Sequence, residues 1–294
     1  MRLKKVAKVL LSCLMAGALF TGCGGGDTPA KTEGDKPTAG NTAEIKLGMI
    51  THLNATEKKM EDILKTVQEE SGVALSKYVI TYYNSLSLMN MGIESGSVDQ
   101  ISLYKCVADY VTANNDKLEL VAGADMPLNN MSDSFCFAVR KDDTQLKADL
   151  DKVIGEMKAD GTLDKLVNEY ITNVDKGQAP PAVEIPMTDG AQMIKIGVTG
   201  DLPPLDYVSA DGQPAGFNTA ILSEIAKRLG RNVEIIDIES GARAAALNSK
   251  QIDVIFWAVV PNGDKVPNDI DKPDGVEFSD SYFKDNVAHL KLKK

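Results

Sequence analysis

Hydrophobic and polar positions along the chain change period several times, and each change predicts an element. Residues 45–50 (IKLGMI) alternate apolar and polar positions, as a strand with one buried face does. Residues 51–56 (THLNAT) form a turn rich in helix-capping side chains, and Met60, Ile63, Leu64 and Val67 then recur at helical spacing until Gly72. Residues 78–83 predict a second strand, Asn84-Ser85 cap a helix running through Ile93, and residues 98–103 predict a third strand. Residues 145–171 give two helices broken at Asp160-Gly161.

A second unit repeats the order. Residues 194–198 predict a strand, followed by a loop with Pro203-Pro204 and Asp211-Gly212. Phe217, Ile221, Leu222, Ile225 and Leu229 put one apolar stripe on a helix that stops at Gly230. A strand over 233–238, a short helix over 242–247 and a strand over 252–259 follow. Alternation of strand and helix predicts mostly parallel sheets covered on both faces, an α/β fold.

The repetition extends to residue types. Ile93-Glu94-Ser95-Gly96-Ser97-Val98-Asp99-Gln100-Ile101 and Leu247-Asn248-Ser249-Lys250-Gln251-Ile252-Asp253-Val254-Ile255 share the pattern apolar, x, Ser, x, x, β-branched, Asp, x, Ile. These copies lie 154 residues apart, and the strands upstream of them, beginning at Ile45 and Ile194, lie 149 apart. Two copies of one unit predict two similar lobes with a ligand-holding cleft between them.

Composition adds an address. Arg2, Lys4, Lys5 and Lys8 precede an apolar run over 9–20, too short for a membrane span and suited to a signal segment. Leu19-Phe20-Thr21-Gly22-Cys23 resembles the lipobox of bacterial lipoproteins, which implies cleavage before Cys23 and a lipid on its sulfur. The next stretch, to residue 43, has almost nothing apolar and predicts a flexible tether. Losing the four leader cations takes the formal charge from −10 to about −14, which argues against nucleic acid as a partner. Cys106 and Cys136 are expected as buried free thiols, since a large α/β core needs no staple. No Cys/His spacing fits a metal site, and no cofactor is expected.

A set of ordered matches then resembles bacterial solute-binding proteins of family 3, the extracytoplasmic receptors of ABC importers. Residues 193–283 are similar to that family's first half, through Asp201-Leu202-Pro203-Pro204-Leu205-Asp206-Tyr207, Gly212-Gln213-Pro214-Ala215-Gly216-Phe217-Asn218, Gln251-Ile252-Asp253-Val254-Ile255 and Phe278-Ser279-Asp280-Ser281-Tyr282-Phe283. Residues 45–172 are similar to its second half, closing with Phe137-Ala138-Val139-Arg140-Lys141-Asp142-Asp143 and Lys158-Ala159-Asp160-Gly161-Thr162-Leu163. The halves stand in reversed order. Two partial receptors would each expose a large apolar face, whereas one circularly permuted receptor uses a single full set of parts.

The resemblance implies a two-lobed, periplasmic-binding-protein-like (Venus-flytrap) α/β fold, circularly permuted. Its expected parts are a leader (1–22), a tether (23–43), lobe 2 (44–127), a hinge strand with helices that pack on lobe 1 (128–172), a connector joining the usual termini (173–192), lobe 1 (193–283) and a second hinge strand (284–294). It further implies an extracytoplasmic lipoprotein, a monomer, that captures a small polar or aromatic solute by lobe closure and delivers it to an ABC permease.

Amino-acid receptors of this family add two charged anchors in the cleft. An arginine expected near Lys265 grips the α-carboxylate, and an aspartate expected at Tyr104 grips the α-ammonium. Neither residue type is present, so the solute differs from a simple α-amino acid or is gripped differently. Arg243 resembles an arginine that some receptors of polar amino acids carry. Trp257 and Ala258 fall where the family's strand reaches the ligand, and a tryptophan there would stack on a flat solute. Tyr207 and Leu205 match the binding loop. Thr51, His52, Asn54 and Thr56 fill the opposing loop before a helix start, where an anion is attracted. A histidine there, titrating at about 6.5, would make affinity depend on pH. Asp133 lies near the expected hinge. Two other readings compete: a degenerate receptor acting as a surface sensor or scaffold, and a dehydratase-like enzyme on the same fold using His52, Asp206 and Asp133 as acid and base.

Overall fold

A computed structural model describes residues 44–51, 77–121, 132–174, 180, 183–259 and 272–294. Cys23, His52, Asn54, Thr56 and Lys265, the leader, the tether and the predicted helix over 57–72 lie outside the described residues.

The first unit forms β1 (Glu44–Ile50), β2 (Lys77–Tyr83), α1 (Leu86–Glu94), β3 (Gln100–Tyr104), α2 (Lys105–Asn114) and β4 (Leu118–Leu120). Ser85 is the N-cap of α1, its hydroxyl accepting from the Leu88 N–H (3.2 Å). β1 runs parallel to β2 on one side and to β3 on the other. β5 (Ser132–Arg140), α3 (Thr144–Ala159) and α4 (Thr162–Val167) follow, and α4 continues as a π turn over Asn168–Thr172. Gly161, at φ 78°, makes the break between α3 and α4.

The second unit comprises β6 (Met193–Val198), β7 (Asp201–Leu202), β8 (Asp206–Val208), β9 (Pro214–Ala215), α5 (Phe217–Leu229), β10 (Asn232–Asp237), α6 (Arg243–Asn248) and β11 (Val254–Val259). β12 (Val276–Phe278) and β13 (Phe283–Leu292) end the chain. β7, β8 and β9 make a small antiparallel sheet of their own. That sheet was not expected from the sequence, because strands of two or three residues carry no readable period.

The other ten strands form one continuous sheet in the order β10-β6-β11-β5-β13-β3-β1-β2, with β12 also on β5 and β4 also on β13. β13 makes it continuous. Its first half, residues 283–286, pairs antiparallel with β5, and its second half, residues 287–290, pairs antiparallel with β3. The molecule is therefore two α/β lobes sharing a strand, one lobe around β6, β10 and β11, the other around β1, β2 and β3.

Burial explains which residues made which elements. β5 lies mid-sheet, and residues 134–139 are all buried, so the strand reads as a continuous apolar run rather than an alternating one. α5 is buried on most of its surface, including Phe217, Ile221, Leu222 and Ile225. α3 and α4 are tied to α5 through Arg231 to Asp149 (2.7 Å) and Arg228 to Asp160 (2.8 Å). Residues 183–192 lie against this same lobe rather than hanging free. The Val183 N–H donates to the Pro214 carbonyl (3.1 Å), Ser223 to the Glu184 carbonyl (2.9 Å), and Asn232 exchanges two hydrogen bonds with the backbone of Thr188. Cys106 and Cys136 are buried free thiols.

Where the lobes meet, aromatic rings fill the core. Tyr104 of the second lobe packs edge-on against Phe135 (4.7 Å between ring centres), which meets Phe283, which meets Phe217. Phe137 stacks on Tyr282 (4.9 Å) and touches Phe256. Such rings bury large areas at low rotameric cost and make a firm floor for the groups above them.

Candidate functional site

The loop from Val198 to Asp206 forms one side of the junction between the lobes. Its end is fixed to the start of α5: the Phe217 N–H donates to the Pro204 carbonyl (2.9 Å) and the Asn218 N–H to the Leu205 carbonyl (2.8 Å). Gly216, at φ 103°, permits this approach, since a Cβ there would run into both carbonyl oxygens. Docking carries Asp206 inward until it is 6% exposed.

The buried carboxylate is well supplied with donors. Oδ2 accepts from the Asn218 amide (2.9 Å), and Oδ1 accepts from the Thr199 hydroxyl and the Gly200 N–H (both 3.3 Å). Asn218 in turn accepts from the Tyr282 hydroxyl (3.0 Å). Burial raises the Asp206 pKa, while Asn218, the positive charge of Arg243 and the donors from Gly200 and Thr199 hold it down.

Arg243 opens α6 on the same lobe. Its Nη2 donates to the Ser240 hydroxyl (3.1 Å) and its Nη1 to the Phe256 carbonyl (3.3 Å). Burial lowers its pKa, opposed by Asp206 and by Tyr104 from the other lobe. Asp206 and Arg243 thus feel each other's charge, yet no ion pair within 4 Å joins them. The remaining arginines of the described residues behave differently: Arg140, Arg228 and Arg231 each hold a carboxylate. Arg243 contacts a hydroxyl and backbone carbonyls only. A guanidinium kept from bulk water without a carboxylate is costly, and it offers its free N–H groups to whatever enters.

The facing lobe approaches through two strand ends. The Ser240 hydroxyl donates to the Thr51 carbonyl at the end of β1, and Asp201 accepts from the Leu86 and Ser87 N–H groups at the start of α1 (2.8 and 3.5 Å). Thr51 is itself fixed by its hydroxyl to the Tyr83 carbonyl and the Asn84 side chain (both 3.2 Å).

Three expected site residues, Arg243, Tyr104 and Thr51, therefore stand around this junction. Leu205, 1% exposed, lies in the core under the loop. The Tyr207 hydroxyl donates to the Pro180 carbonyl, and burial together with Tyr110 and Tyr170 pushes its pKa up to about 12. Trp257 is packed with Leu247, Ile252 and Ile255, stacked on Phe278 (6.1 Å), and its indole N–H has no partner. Ala258 pairs with Phe135 across β11 and β5, and Asp133 with Asp285 across β5 and β13; their side chains lie outside the described set. Asp201, Asn218, Ser240 and Tyr282 were not expected at the site. Their signal lay inside the quoted motifs, where Asp201 opens Asp-Leu-Pro-Pro and Asn218 follows Gly-Phe.

Fixed donors and groups of opposite charge thus meet where the two lobes join. Among the described residues no group of three or more His, Cys, Asp or Glu side chains could hold a metal ion. The sequence profile of the bacterial extracellular solute-binding proteins, family 3, matches residues 39–173 and 194–291. The chain belongs to that family. It is similar to the arginine-binding extracellular protein ArtP of Bacillus subtilis (strain 168), 27% identical over 105 residues, 36% of this chain and 37% of the relative. It is also similar to the L-cystine-binding protein TcyA of the same organism, 30% identical over 91 residues, 31% of each chain. The chain thus spans about a third of the length of these two relatives. A solved structure, the GluR0 ligand-binding core from Nostoc punctiforme with L-glutamate, is 9% identical with a TM-score of 0.38, covering 85% of each chain. Members of this family are solute-binding proteins, and among the described residues no helix is long and apolar enough to cross a membrane.

Proposed function

We propose that this family 3 protein is the capture component of an ABC importer for a small polar solute that carries a carboxylate, and that Arg243 grips that carboxylate. The observation that carries the reading is the guanidinium itself: half-buried at the lobe junction, charged, and without a carboxylate of its own. A solute carboxylate would supply the missing counter-charge in a bidentate geometry. Asp206 and Tyr104 both stand close enough to bias Tyr282, so the rest of the solute would meet a polar network already held together by Asn218. Tyr104 replaces the family's acidic anchor with a phenol, so a positively charged group on the solute would look to Asp206 instead. Thr51, His52, Asn54 and Thr56 would contact the solute from the facing lobe and Tyr207 and Ala258 from the other, while Leu205 and Trp257, both buried, would back that side from the core. The chain acts by binding alone, not as an enzyme, and is held at the outer face of the membrane through a lipid on Cys23.

Sheet topology supports the permuted order. β1 and β13 flank β3 on its two sides, and β1 begins and β13 ends toward the same end of that strand, Gly48 and Leu290 both being paired with Ile101. A connection from β13 into β1 would be short, and residues 173–192 supply the other junction.

A thermal-shift panel of L-arginine, L-cystine, aromatic acids, amines and short peptides tests the function. At least one carboxylate-bearing member should stabilise the protein, and Arg243→Ala should weaken that solute by 30-fold or more, the loss of roughly 2 kcal/mol or more expected when one partner of a buried charged pair goes. Binding undiminished by Arg243→Ala overturns the site. No stabilisation across the panel favours a surface sensor or scaffold, and turnover of a panel member favours a dehydratase-like enzyme.

A further inference from the structure

Two of the polar contacts between the lobes, among the described residues, reach the strand and helix ends of the facing lobe. The stronger one is Asp201. It belongs to β7 on one lobe, and its Oδ2 accepts from the first two N–H groups of α1 on the other, at 2.8 and 3.5 Å. α1 already has a cap of its own, but the Ser85 hydroxyl reaches only the Leu88 N–H. The N–H groups of residues 86 and 87 have no intrahelical partner and take Asp201 as theirs.

The carboxylate also has reason to stay. Asp201 is partly buried, and Asp206 and Asp237 of its own lobe add negative charge beside it. Desolvation and like charge both disfavour its ionised form, and the two N–H groups of α1 oppose them. The positive end of the α1 dipole adds to that attraction. Ser240 makes the second bridge, to the Thr51 carbonyl, and is itself held by Arg243 Nη2 (3.1 Å). The two bridges engage the β1 end and the β2–α1 junction, so together they fix the facing lobe against both sliding and opening.

We propose that Asp201, assisted by Ser240, is an inter-lobe latch: it clamps the N-terminus of α1 and thereby sets how often the lobes are closed. The latch follows from geometry alone. Its consequence for uptake rests on the solute-binding reading, since a receptor that must close to bind has its apparent affinity multiplied by the closed fraction. Asp201 is then a positioning residue. It alters affinity without joining the grip on the solute, and the change falls mainly on the dissociation rate.

Pulsed electron–electron distance measurements decide the matter without any solute. Spin labels on cysteines introduced at Lys152, on α3, and Asp109, on α2, report the separation of the lobes, and the native Cys106 and Cys136 are buried. The unaltered protein should give a majority short-distance population. Asp201→Ala should reduce that population at least fivefold relative to the long-distance one, Asp201→Asn by less, and Ser240→Ala should shift it in the same direction. Unchanged distance distributions in Asp201→Ala and Asp201→Asn overturn the latch. Should the alanine variant fail to fold, the asparagine variant, which keeps the shape, decides alone. A thermal-shift panel with no hit would remove the solute reading and leave this result standing.

Discussion

The two copies of the Ser-x-x-β-branched-Asp element do the same work in the two lobes, atom for atom. In each, the Asp side chain accepts the N–H of a lysine in the first strand of its lobe while the Asp N–H returns a bond to that lysine's carbonyl. The pairs are Asp99 with Lys46 (2.8 and 2.8 Å) and Asp253 with Lys195 (3.0 and 2.7 Å). In each, the Ser hydroxyl donates to the carbonyl three residues earlier at 3.1 Å, Ser95 to Gly92 and Ser249 to Ala246. The motif is thus a splice between a helix end and two parallel strands. Its residue types are dictated by the splice, not by a ligand.

The copies differ in what lies outside them. Asp99 is exposed and has only its strand partner. Asp253 also accepts from Arg140 Nη2 (2.8 Å), and Arg140, its side chain 12% exposed, donates on to the Leu247 and Ile252 carbonyls. One lobe therefore splices its motif into the hinge strand β5, and the other leaves it at the surface. Asp253→Ala should destabilise the fold by about 3 kcal/mol, because it removes the main partner of a mostly buried guanidinium. Asp99→Ala should cost about 1 kcal/mol, the worth of one solvent-exposed charged hydrogen bond. Urea midpoints of the two variants check this; equal losses would mean that Arg140 is satisfied by Asp143, 3.3 Å away.

A buried histidine sharpens the contrast between lobes. His289, on the half of β13 that pairs with β3, is 1% exposed; Nδ1 meets Gln100 (3.3 Å) and Nε2 has no partner. Burial lowers its pKa to about 4. An unfolded histidine takes its proton at about 6.5, so the unfolded chain gains a proton first as pH falls. Stability from this group is therefore full above pH 6.5 and is lost progressively toward about 4, roughly 3 kcal/mol in all. Melting curves at pH 7 and 4.5 should show a larger drop for the native protein than for His289→Gln. Equal drops would place the acid sensitivity elsewhere.

Much of the fold was legible because its signals are local. The Asn84-Ser85 cap, the break at Gly161 and the left-handed Gly230 after α5 all announce themselves within a few residues. The proline-rich connector over 173–192 gives no local sign that Asn232 and Ser223 take up backbone groups of its second half. At the site, residue types suggested Arg243 through a family likeness, but no spacing connects Asp201 with the start of α1, 115 residues away. Polar networks that join distant segments are set by topology. The contact pattern becomes visible only once the sheet order is known.

The smallest difference between the copies lies at the residue after the serine. Both turns need a left-handed backbone there, and one lobe uses Gly96 (φ 74°) where the other uses Lys250 (φ 63°). An L side chain in that region carries roughly 1 kcal/mol of strain, whereas glycine carries none but loses more freedom on folding. A Cβ at Gly96 would meet nothing within 4 Å, so the penalty for a side chain is conformational only. Gly96→Ala should therefore lower stability by about 1 kcal/mol, and Lys250→Gly should raise it by about 0.5 kcal/mol once the entropy of the unfolded glycine is counted. Denaturant midpoints of the two variants should move in opposite directions. Movement in the same direction would mean that Lys250 holds its turn through more than backbone shape, and that the two splices are less alike than their hydrogen bonds.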